Sequence, residues 1–198
     1  SGNARDLKSL EMSLRKVPDV REHLFALEGG ALAVELGRRL GDFTELVTLL
    51  GQSIADEPPA SLKEGGIFAD GYSEAIDELR RATTDGKQWV ADLQAREQDR
   101  TGISSLKIKY NAVFGYFIEI TNSHLEKAPP EYTRKQTMSN AERYITPELK
   151  EVENKILGAD ERLRALEYQE FLNLRETVLE HLEAIQTTAA ALAEIDVL

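Results

Sequence analysis

The middle of the chain alternates apolar and polar residues, whereas the sequence on both sides repeats its apolar residues at the spacing of a helix. Residues 105–110 and 116–121 both alternate, and the five residues NAVFG between them predict a hairpin loop. Residues 131–138 and 141–146 predict a second hairpin, although a helix over 140–144 is an alternative. A small antiparallel β-sheet is therefore expected inside a mainly helical chain.

Two long helices are predicted to flank this sheet. The first runs from about residue 73 to residue 100, stops before Gly102 and has a local weakness at Gly86. The second begins at Pro147, directly after Thr146, which is the preferred order for a helix start. Its apolar residues then follow steps of three and four, at positions 149, 152, 156, 159, 163 and 166. This seam fits packing against the first long helix or against a second chain.

Shorter helices are predicted before these, over residues 5–16, 19–28 and twice within 30–55. Pro18 separates the first two because proline cannot sit in a helix interior, and Gly41 divides the third stretch. Residues 56–72 carry two prolines and three glycines, which predicts a loop with one short extended piece at Ile67–Phe68. The expected fold is mainly α: a helical bundle in which two long antiparallel helices hold the sheet at their tip.

Charge is distributed unevenly along the chain. The net charge of −11 argues on its face against a nucleic-acid partner. Between residues 104 and 146, however, six Lys or Arg residues outnumber four Glu residues, while the remainder carries 18 basic and 31 acidic side chains. The basic excess therefore falls on the segment that is predicted to form the sheet.

Composition and motifs exclude several kinds of site. The chain has no cysteine, which rules out disulfides and thiolate metal sites, and no apolar run approaches the roughly 18 residues of a membrane span. It contains neither a P-loop pattern nor a His-Glu-x-x-His motif. His23, His124 and His181 are far apart and are interpreted as surface or capping residues. We therefore expect no catalytic residue, metal or cofactor in this chain, and no membrane contact.

The predicted sheet instead offers donors for phosphate groups. The stretch YTRKQTMSNAER supplies Arg134, Lys135, Gln136, Thr137, Ser139, Asn140 and Arg143, and the first strand adds Lys107 and Lys109. Such a set on a small rigid sheet suits contacts with a nucleic-acid backbone, which need no reading of bases. From the pattern alone, a solvated strand face is the commoner origin of an Arg-Lys pair. The aromatic residues fit the small core of the sheet better than a base-stacking surface: Tyr110, Phe114, Tyr116, Phe117 and Tyr144.

One long stretch of the chain resembles the bacterial MutS family of DNA mismatch-repair proteins. It reads DRTGISSLKIKYNAVFGYFIEITNSHLEKAPPEYTRKQTMSNAERYITPELKEVENKIL, and NAERYITPELKE is its most specific part. The resemblance continues upstream through DEPPASLKEGGIFADGYSEAIDELR and downstream to ALAEIDVL, so it covers essentially the whole chain.

This resemblance implies a lever domain over residues 1–102 and 147–198, with a clamp domain over 103–146 inserted in it. In the family, two subunits close their clamps around double-stranded DNA and touch its backbone without sequence preference. The resemblance implies that the chain is a fragment, since the mismatch-reading domain and the ATPase domain, with its ATP and Mg²⁺, lie outside it. It further implies a bacterial cytoplasmic protein at the nucleoid, with MutL as a further partner.

The family's clamp contacts map onto the stretch between residues 134 and 143. The strongest candidates carried over from the family are Arg134, Gln136, Asn140 and Arg143. Ser139 stands where some relatives carry Lys, which removes one charge from the predicted surface. The alternative function is a helical scaffold whose β tip binds another protein through Val113 and Phe114.

Overall fold

The computed structural model describes residues 2–26 and 30–197, which form seven α-helices, four β-strands and one 3₁₀-helix. The helices are α1 (Ala4–Leu14), α2 (Val17–Ala26), α3 (Gly30–Arg39), α4 (Thr44–Ser53), α5 (Glu74–Thr101), α6 (Pro147–Glu180) and α7 (Leu182–Ile195). The strands are β1 (Lys107–Asn111), β2 (Gly115–Thr121), β3 (Thr133–Thr137) and β4 (Ala141–Ile145), and the 3₁₀-helix η1 is Asn122–Lys127. None of the helices in these described ranges is both long and apolar enough to cross a membrane.

The chain divides into two compact units. Residues 75–163 contain the four strands and are called the sheet unit below. Residues 1–74 together with 164–198 are called the helical unit. A mainly helical chain with a four-stranded antiparallel sheet between α5 and α6 confirms the predicted fold class.

The helical unit confirms the predicted short helices and corrects one boundary. α3 ends at Arg39 and α4 begins at Thr44, so the chain breaks around Gly41 as expected. Pro18, however, does not lie between two helices, because it is the second residue of α2. Proline is tolerated in a first turn, where N–H groups have no acceptor within the helix. Residues 27 and 28, the predicted end of this helix, lie outside the described residues.

The loop of residues 56–72 is anchored in the core of the helical unit. Ile54 and Phe68 form an antiparallel bridge, which confirms the short extended piece predicted at Ile67–Phe68. Gly66 donates its N–H to Glu167 Oε2 over 2.6 Å and so ties the loop to α6. Since Ile67 is fully buried and Phe68 is only 2% exposed, this loop contributes to packing as well as connecting two helices.

In the sheet unit, α5 and the first half of α6 run antiparallel, as predicted. Arg96 Nη2 donates to Glu148 Oε1 over 2.7 Å near the end of α5, and further along the pair Gly86 lies against Ile156. α5 is followed by Gly102 with a φ of +65°, the left-handed conformation that commonly ends a helix. The sheet is therefore inserted at the end of the helix pair where α5 stops and α6 begins.

The inserted sheet has the strand order β1-β2-β4-β3 and is antiparallel throughout. Both predicted hairpins are confirmed, whereas the helix considered for residues 140–144 is wrong because β4 pairs with β2 and with β3. The first hairpin loop is shorter than predicted, since Asn111 pairs with Gly115 and leaves residues 112–114 as the loop. Gly115 has a φ of +75°, as expected at the end of a three-residue hairpin loop.

One face of the sheet packs on both long helices. Ile118, Ile120 and Leu149 are completely buried, and they belong to a core that both helices and the sheet share. The predicted N-cap of α6 supports this packing, because Thr146 Oγ1 accepts the N–H of Leu149 over 3.2 Å. The sheet and the helix pair therefore share one hydrophobic core.

The aromatic residues expected in this core divide into three groups. Tyr144 is buried and Tyr116 is half-buried in it, as predicted, whereas Phe117 is buried on the opposite face of the sheet, beneath Arg143. Tyr110 and Phe114 are 51% and 45% exposed, so the prediction is wrong for them. Tyr110 lies near the end of the edge strand β1, and Phe114 lies in the hairpin loop, where less of the protein surrounds a side chain.

Gly86 lies where α5 and α6 approach each other closely, and α5 continues through it without a break. A Cβ at this position would overlap Ile156 Cγ1, and Ile156 is only 3% exposed. Gly86→Ala gains about 1 kcal/mol of helix propensity but overpacks the core, which costs about 1–3 kcal/mol. We therefore expect a net loss of unfolding free energy of about 1 kcal/mol, measured by urea unfolding with Trp89 fluorescence.

Gly158→Ala is the matched control, because Gly158 also lies within a long helix. The atom nearest to its added Cβ is Arg162 Nη2 at 3.5 Å, an ordinary contact. This substitution is expected to raise the unfolding free energy by up to about 1 kcal/mol. Stabilisation by both substitutions would contradict the close helix contact at Gly86.

Candidate nucleic-acid interface

The strand register places several of the predicted contact residues on one face of the sheet. Residues directly opposite each other on antiparallel strands share a face. Lys107 lies opposite Glu119, and Glu119 lies opposite Arg143. Gln136 of β3 also lies opposite Arg143, and Lys109 points the same way as Lys107 because side chains alternate along a strand. We call Lys107, Lys109, Glu119, Gln136 and Arg143 the polar face.

A bulge in β3 separates Arg134 from this polar face. Arg134 lies opposite Tyr144 and Gln136 lies opposite Arg143, so Lys135 is an extra residue between the two pairs. A bulge of this kind places two consecutive residues opposite one residue of the partner strand. Lys135 and Gln136 consequently line one cavity together with Arg143, while Arg134 lies on the opposite face with Tyr144.

Neighbouring side chains hold Arg143 in one orientation. Its Cζ lies 4.4 Å from the centroid of the Phe117 ring, and its Nη1 donates to Gln136 Oε1 over 2.9 Å. Its Nε lies 3.5 Å from Glu119 Oε2 and is buried without a hydrogen-bond partner in the described part of the chain. A planar guanidinium holds its N–H donors in a fixed geometry. This packing therefore also fixes the direction of the Arg143 N–H groups that do not contact Gln136 or Glu119.

Glu119 neutralises part of the positive charge of the polar face. Lys109 Nζ donates to Glu119 Oε1 over 2.6 Å, and Arg143 Nε lies 3.5 Å from the other carboxylate oxygen, Oε2. The hydrogen bond from Lys109 outweighs burial and holds the pKa of Glu119 below its usual range. Glu119 is therefore ionised at neutral pH, and an anion that binds to Lys109 or Arg143 competes with it.

The remaining cations differ in their partners. Arg134 Nη1 donates to Glu142 Oε1 over 3.0 Å, and the hydroxyl of Tyr144 donates to the other oxygen over 2.6 Å. The hydrogen bond from Tyr144, together with that from Arg134, lowers the pKa of Glu142. Lys107 and Lys135 are exposed and form no ion pair with any residue that the structure describes. Among the described residues, these two lysines are therefore the cations of the sheet whose charge no carboxylate balances.

The turn between β3 and β4 exposes its side chains while its backbone is fixed. Thr137 ends β3, and Ser139 and Asn140 form the turn; all three are exposed. Asn122 donates its side-chain amide to the carbonyl of Ser139 and its backbone N–H to the carbonyl of Asn140, both over 3.0 Å. The turn is thus tied to η1, and its hydroxyl and amide side chains face solvent.

A hydrogen-bond network anchors the segment before β3 to α5. Tyr132 donates its hydroxyl to Glu97 Oε2 over 2.6 Å, and Arg100 Nη2 donates to the same oxygen over 2.6 Å. Arg100 Nη1 also donates to Glu131 over 2.7 Å. Burial alone would raise the pKa of Glu97, but the hydrogen bonds from Arg100 and Tyr132 outweigh it, so the pKa lies below its usual value. The network fixes the start of β3 relative to α5.

Sequence reasoning missed the contribution of α6 to this surface. Lys150 Nζ donates to the carbonyl of Phe114 over 3.0 Å and lies 2.8 Å from Glu153 Oε1. Lys150 and Phe114 line the same cavity as Arg143. A lysine in the first turn of a helix is usually predicted to be solvent-exposed, and no sequence pattern links it to a hairpin loop 36 residues earlier.

In the described ranges, no group of three or more acidic or histidine side chains could hold a metal ion.

The sequence is similar to a set of DNA mismatch-repair proteins. Residues 71–162 match the family model described as MutS family domain IV. Over 198 residues the chain is 49% identical to the DNA mismatch repair protein MutS of Halothermothrix orenii and 50% identical to that of Alkaliphilus oremlandii, covering all of this chain and 22% of each relative. It is 48% identical over 199 residues to the MutS of Methanothrix thermoacetophila, covering 98% of this chain and 23% of the relative. The chain therefore spans little more than a fifth of the length of these relatives.

Proposed function

The chain belongs to the MutS family, as a region that includes domain IV, and we propose that its sheet contacts the backbone of double-stranded DNA without reading the base sequence. In this proposal residues 103–146 form the clamp, and residues 1–102 and 147–198 form the levers that connect the clamp to a larger mismatch-repair protein. The contact residues are those of the polar face other than Glu119, together with Arg134, Lys135, Thr137, Ser139 and Asn140.

The fixed orientation of Arg143 is the observation that carries this proposal. Its guanidinium stacks on Phe117 and donates to Gln136, while the exposed Lys135 and Lys107 lie on the same sheet. Arginine forks and lysine charges are the groups that proteins use for phosphate oxygens, and contacts with phosphates position a protein without carrying sequence information. Such an arrangement is better suited to contacts with the DNA backbone than to recognition of bases.

The activity of a whole protein is a wider proposal, which rests on the names of the relatives. We propose that ATP and Mg²⁺ bind outside this chain, and that no residue of the chain is catalytic. A second MutS-like subunit and MutL are the proposed protein partners, and the bacterial cytoplasm at the nucleoid is the proposed location. The levers would then transmit the state of the clamp to the ATPase domain.

One observation favours the alternative of a protein-binding tip. Val113 is 81% exposed and Phe114 is 45% exposed, and both lie in the loop between β1 and β2. Exposed apolar side chains of this kind can bind another protein. Under this alternative, a Val113→Ser and Phe114→Ser double variant would lose a protein partner, and the chain would show no salt-dependent binding to DNA.

Lys135→Gln tests the proposed DNA contact. It is expected to weaken binding to a short duplex and to reduce the slope of log K against log salt by about 0.9, the value for one lost phosphate contact. Unfolding free energy should stay unchanged, because Lys135 is exposed and pairs with no residue of the described chain. Fluorescence anisotropy of a labelled duplex over a series of salt concentrations measures the slope.

Lys87→Gln is the control, since Lys87 is an exposed cation of α5 outside the sheet. It changes the net charge by the same amount as Lys135→Gln and should leave the slope unchanged. A slope that stays at the unsubstituted value in both variants would mean that Lys135 makes no phosphate contact. An equal reduction of the slope in both variants would mean that only the total charge of the chain determines binding.

A further inference from the structure

The cavity beside Arg143 has a strongly positive lining for such an acidic chain. It measures about 310 Å³ and is lined by three cations, Lys135, Arg143 and Lys150, which come from β3, β4 and α6. None of the described residues that line it is acidic. Arg143 and Lys150 are partly balanced from outside by Glu119 and Glu153, whereas Lys135 has no such partner among the described residues. The net charge of the chain is −11, so this convergence favours an anionic ligand.

The rest of the lining is apolar and includes two aromatic rings. Phe117 forms part of the cavity wall beneath the Arg143 guanidinium, and Ile145 together with the exposed Val113 and Phe114 completes the apolar surface. Phosphate alone would leave these side chains in contact with water. A ligand that fills the cavity therefore needs a flat or apolar body attached to its anionic group.

The size of the cavity limits that ligand further. Small-molecule sites typically measure from about 300 to 1,000 Å³, so this cavity is at the lower end and accommodates one small unit. Nucleic-acid bases stack on aromatic rings and on guanidinium planes, and both surfaces are available here. Phosphate is an anion that Arg binds through its planar fork and Lys binds as a point charge.

We infer that this cavity binds a single nucleotide unit, with its phosphate at Lys135, Arg143 and Lys150 and its base or sugar against Phe114 and Ile145. The inference rests in part on the proposed function, because Lys135 and Arg143 belong to both sites. It adds Lys150 and Phe114, which the proposed DNA contact does not include. The nucleotide is either free in solution or part of a DNA strand, since both carry the same chemistry.

The position of Lys150 gives this site a link to α6. Its Nζ donates to the carbonyl of Phe114 and so holds the hairpin loop at the edge of the cavity. A phosphate bound at Lys150 competes with this carbonyl and with Glu153 for the same ammonium group. Binding of a ligand in the cavity is therefore expected to change the amide chemical shifts at the start of α6 as well as those of the sheet.

The test titrates the full 198-residue chain, labelled with ¹⁵N, with thymidine 5′-monophosphate, and separately with thymidine and with inorganic phosphate. Binding of the nucleotide is expected to shift the amides of residues 113–117, 135–136, 143–146 and 148–150. Thymidine and phosphate are each expected to bind at least about tenfold more weakly, because each retains only one of the two kinds of contact. Equal affinity for the nucleotide and inorganic phosphate, or shifts outside these residues, would overturn the inference.

Phe114→Ala separates the stacking contact from the phosphate contact. It should weaken binding of thymidine monophosphate about tenfold, within the range for removal of one base-stacking aromatic, and leave phosphate binding unchanged. Tyr110→Ala is the matched control, because Tyr110 is an exposed aromatic residue of the same hairpin that does not line the cavity. Equal effects of the two substitutions would contradict the proposed position of the base.

A parallel titration with a short DNA duplex distinguishes this inference from the proposed function. Binding of the duplex without binding of the mononucleotide would overturn the nucleotide site and leave the DNA contact standing. Binding of the mononucleotide in the cavity without binding of the duplex would support a site for a free nucleotide and count against the DNA contact. Displacement of the mononucleotide by the duplex would identify a DNA strand as the source of the nucleotide.

Discussion

Gly115→Ala is expected to lower the unfolding free energy of the sheet unit by about 3 kcal/mol. Gly115 has a φ of +75°, and a Cβ there would overlap the carboxylate of Glu153. That carboxylate is nearly buried and accepts the N–H of Tyr116, so it cannot move without leaving a buried hydrogen bond unmade. The left-handed conformation costs an alanine roughly 1–2 kcal/mol, and the loss of a hydrogen bond to a charged group costs about 1.5–3 kcal/mol.

Urea unfolding followed by the fluorescence of Trp89 measures this loss. Trp89 is the single tryptophan of the sequence and packs against the core of the sheet unit, so its signal reports the unit that contains Gly115. Gly102→Ala is the matched control, because Gly102 has a φ of +65° and no atom lies within 4 Å of its added Cβ. It should cost only about 1 kcal/mol, the conformational part of the effect.

The Glu153→Ala background isolates the contact between the two residues. Without the carboxylate, Gly115→Ala should cost no more than Gly102→Ala, because only the conformational strain remains. A cost of about 3 kcal/mol that persists in this background would mean that the Glu153 carboxylate is not what makes Gly115 necessary.

Glu97→Gln is expected to produce a large effect that depends on pH. At pH 7 it should lower the unfolding free energy of the sheet unit by about 2 kcal/mol, since it weakens hydrogen bonds of Tyr132 and Arg100 to a buried charge. The folded pKa of Glu97 lies below its usual value. The stabilisation is therefore complete above the unfolded pKa of about 4.3 and disappears as the pH falls through the folded pKa.

The difference between the wild-type chain and Glu97→Gln should consequently shrink as the pH is lowered toward about 3, below the usual glutamate pKa. Urea unfolding between neutral and acidic pH, with Trp89 as the probe, measures this difference. Glu148→Gln serves as the control, because Glu148 and Arg96 form an exposed pair and such pairs contribute at most about 1 kcal/mol. A Glu97→Gln effect that is independent of pH would show that the charge of Glu97 does not stabilise the network.

Much of the fold follows from local signals in the sequence. Thr146 and Pro147 mark the start of α6, Gly102 marks the end of α5, and alternation with turn residues predicts both hairpins. These signals are local because each depends on the conformation of a few neighbouring residues. The helix boundary predicted at Pro18 is wrong, because a proline is compatible both with a break between helices and with the first turn of a helix.

The arrangement of the candidate site depends on contacts that local patterns do not contain. Simple alternation would place Arg134 and Gln136 on one face of β3, but the bulge at Lys135 puts them on opposite faces. Lys150 reaches the carbonyl of Phe114 because two hairpins and a helix start meet in space. The pairing of Arg143 with Glu119 likewise depends on the register between β2 and β4. Hydrophobic alternation does not determine that register, because a shift of two residues keeps every side chain on the same face.

An NMR titration of the ¹⁵N-labelled chain with a short DNA duplex, at low and at high salt, tests the proposed DNA contact most directly. Non-specific binding by one sheet with few phosphate contacts is expected to have a dissociation constant near or above 10⁻⁴ M, at about the weak end of such binding, a range that amide shifts report residue by residue. We expect shifts at residues 107–109 and 134–143 that decrease steeply as salt is raised. Shifts that are absent there, or that do not respond to salt, would contradict the assignment of this sheet as a DNA-backbone clamp.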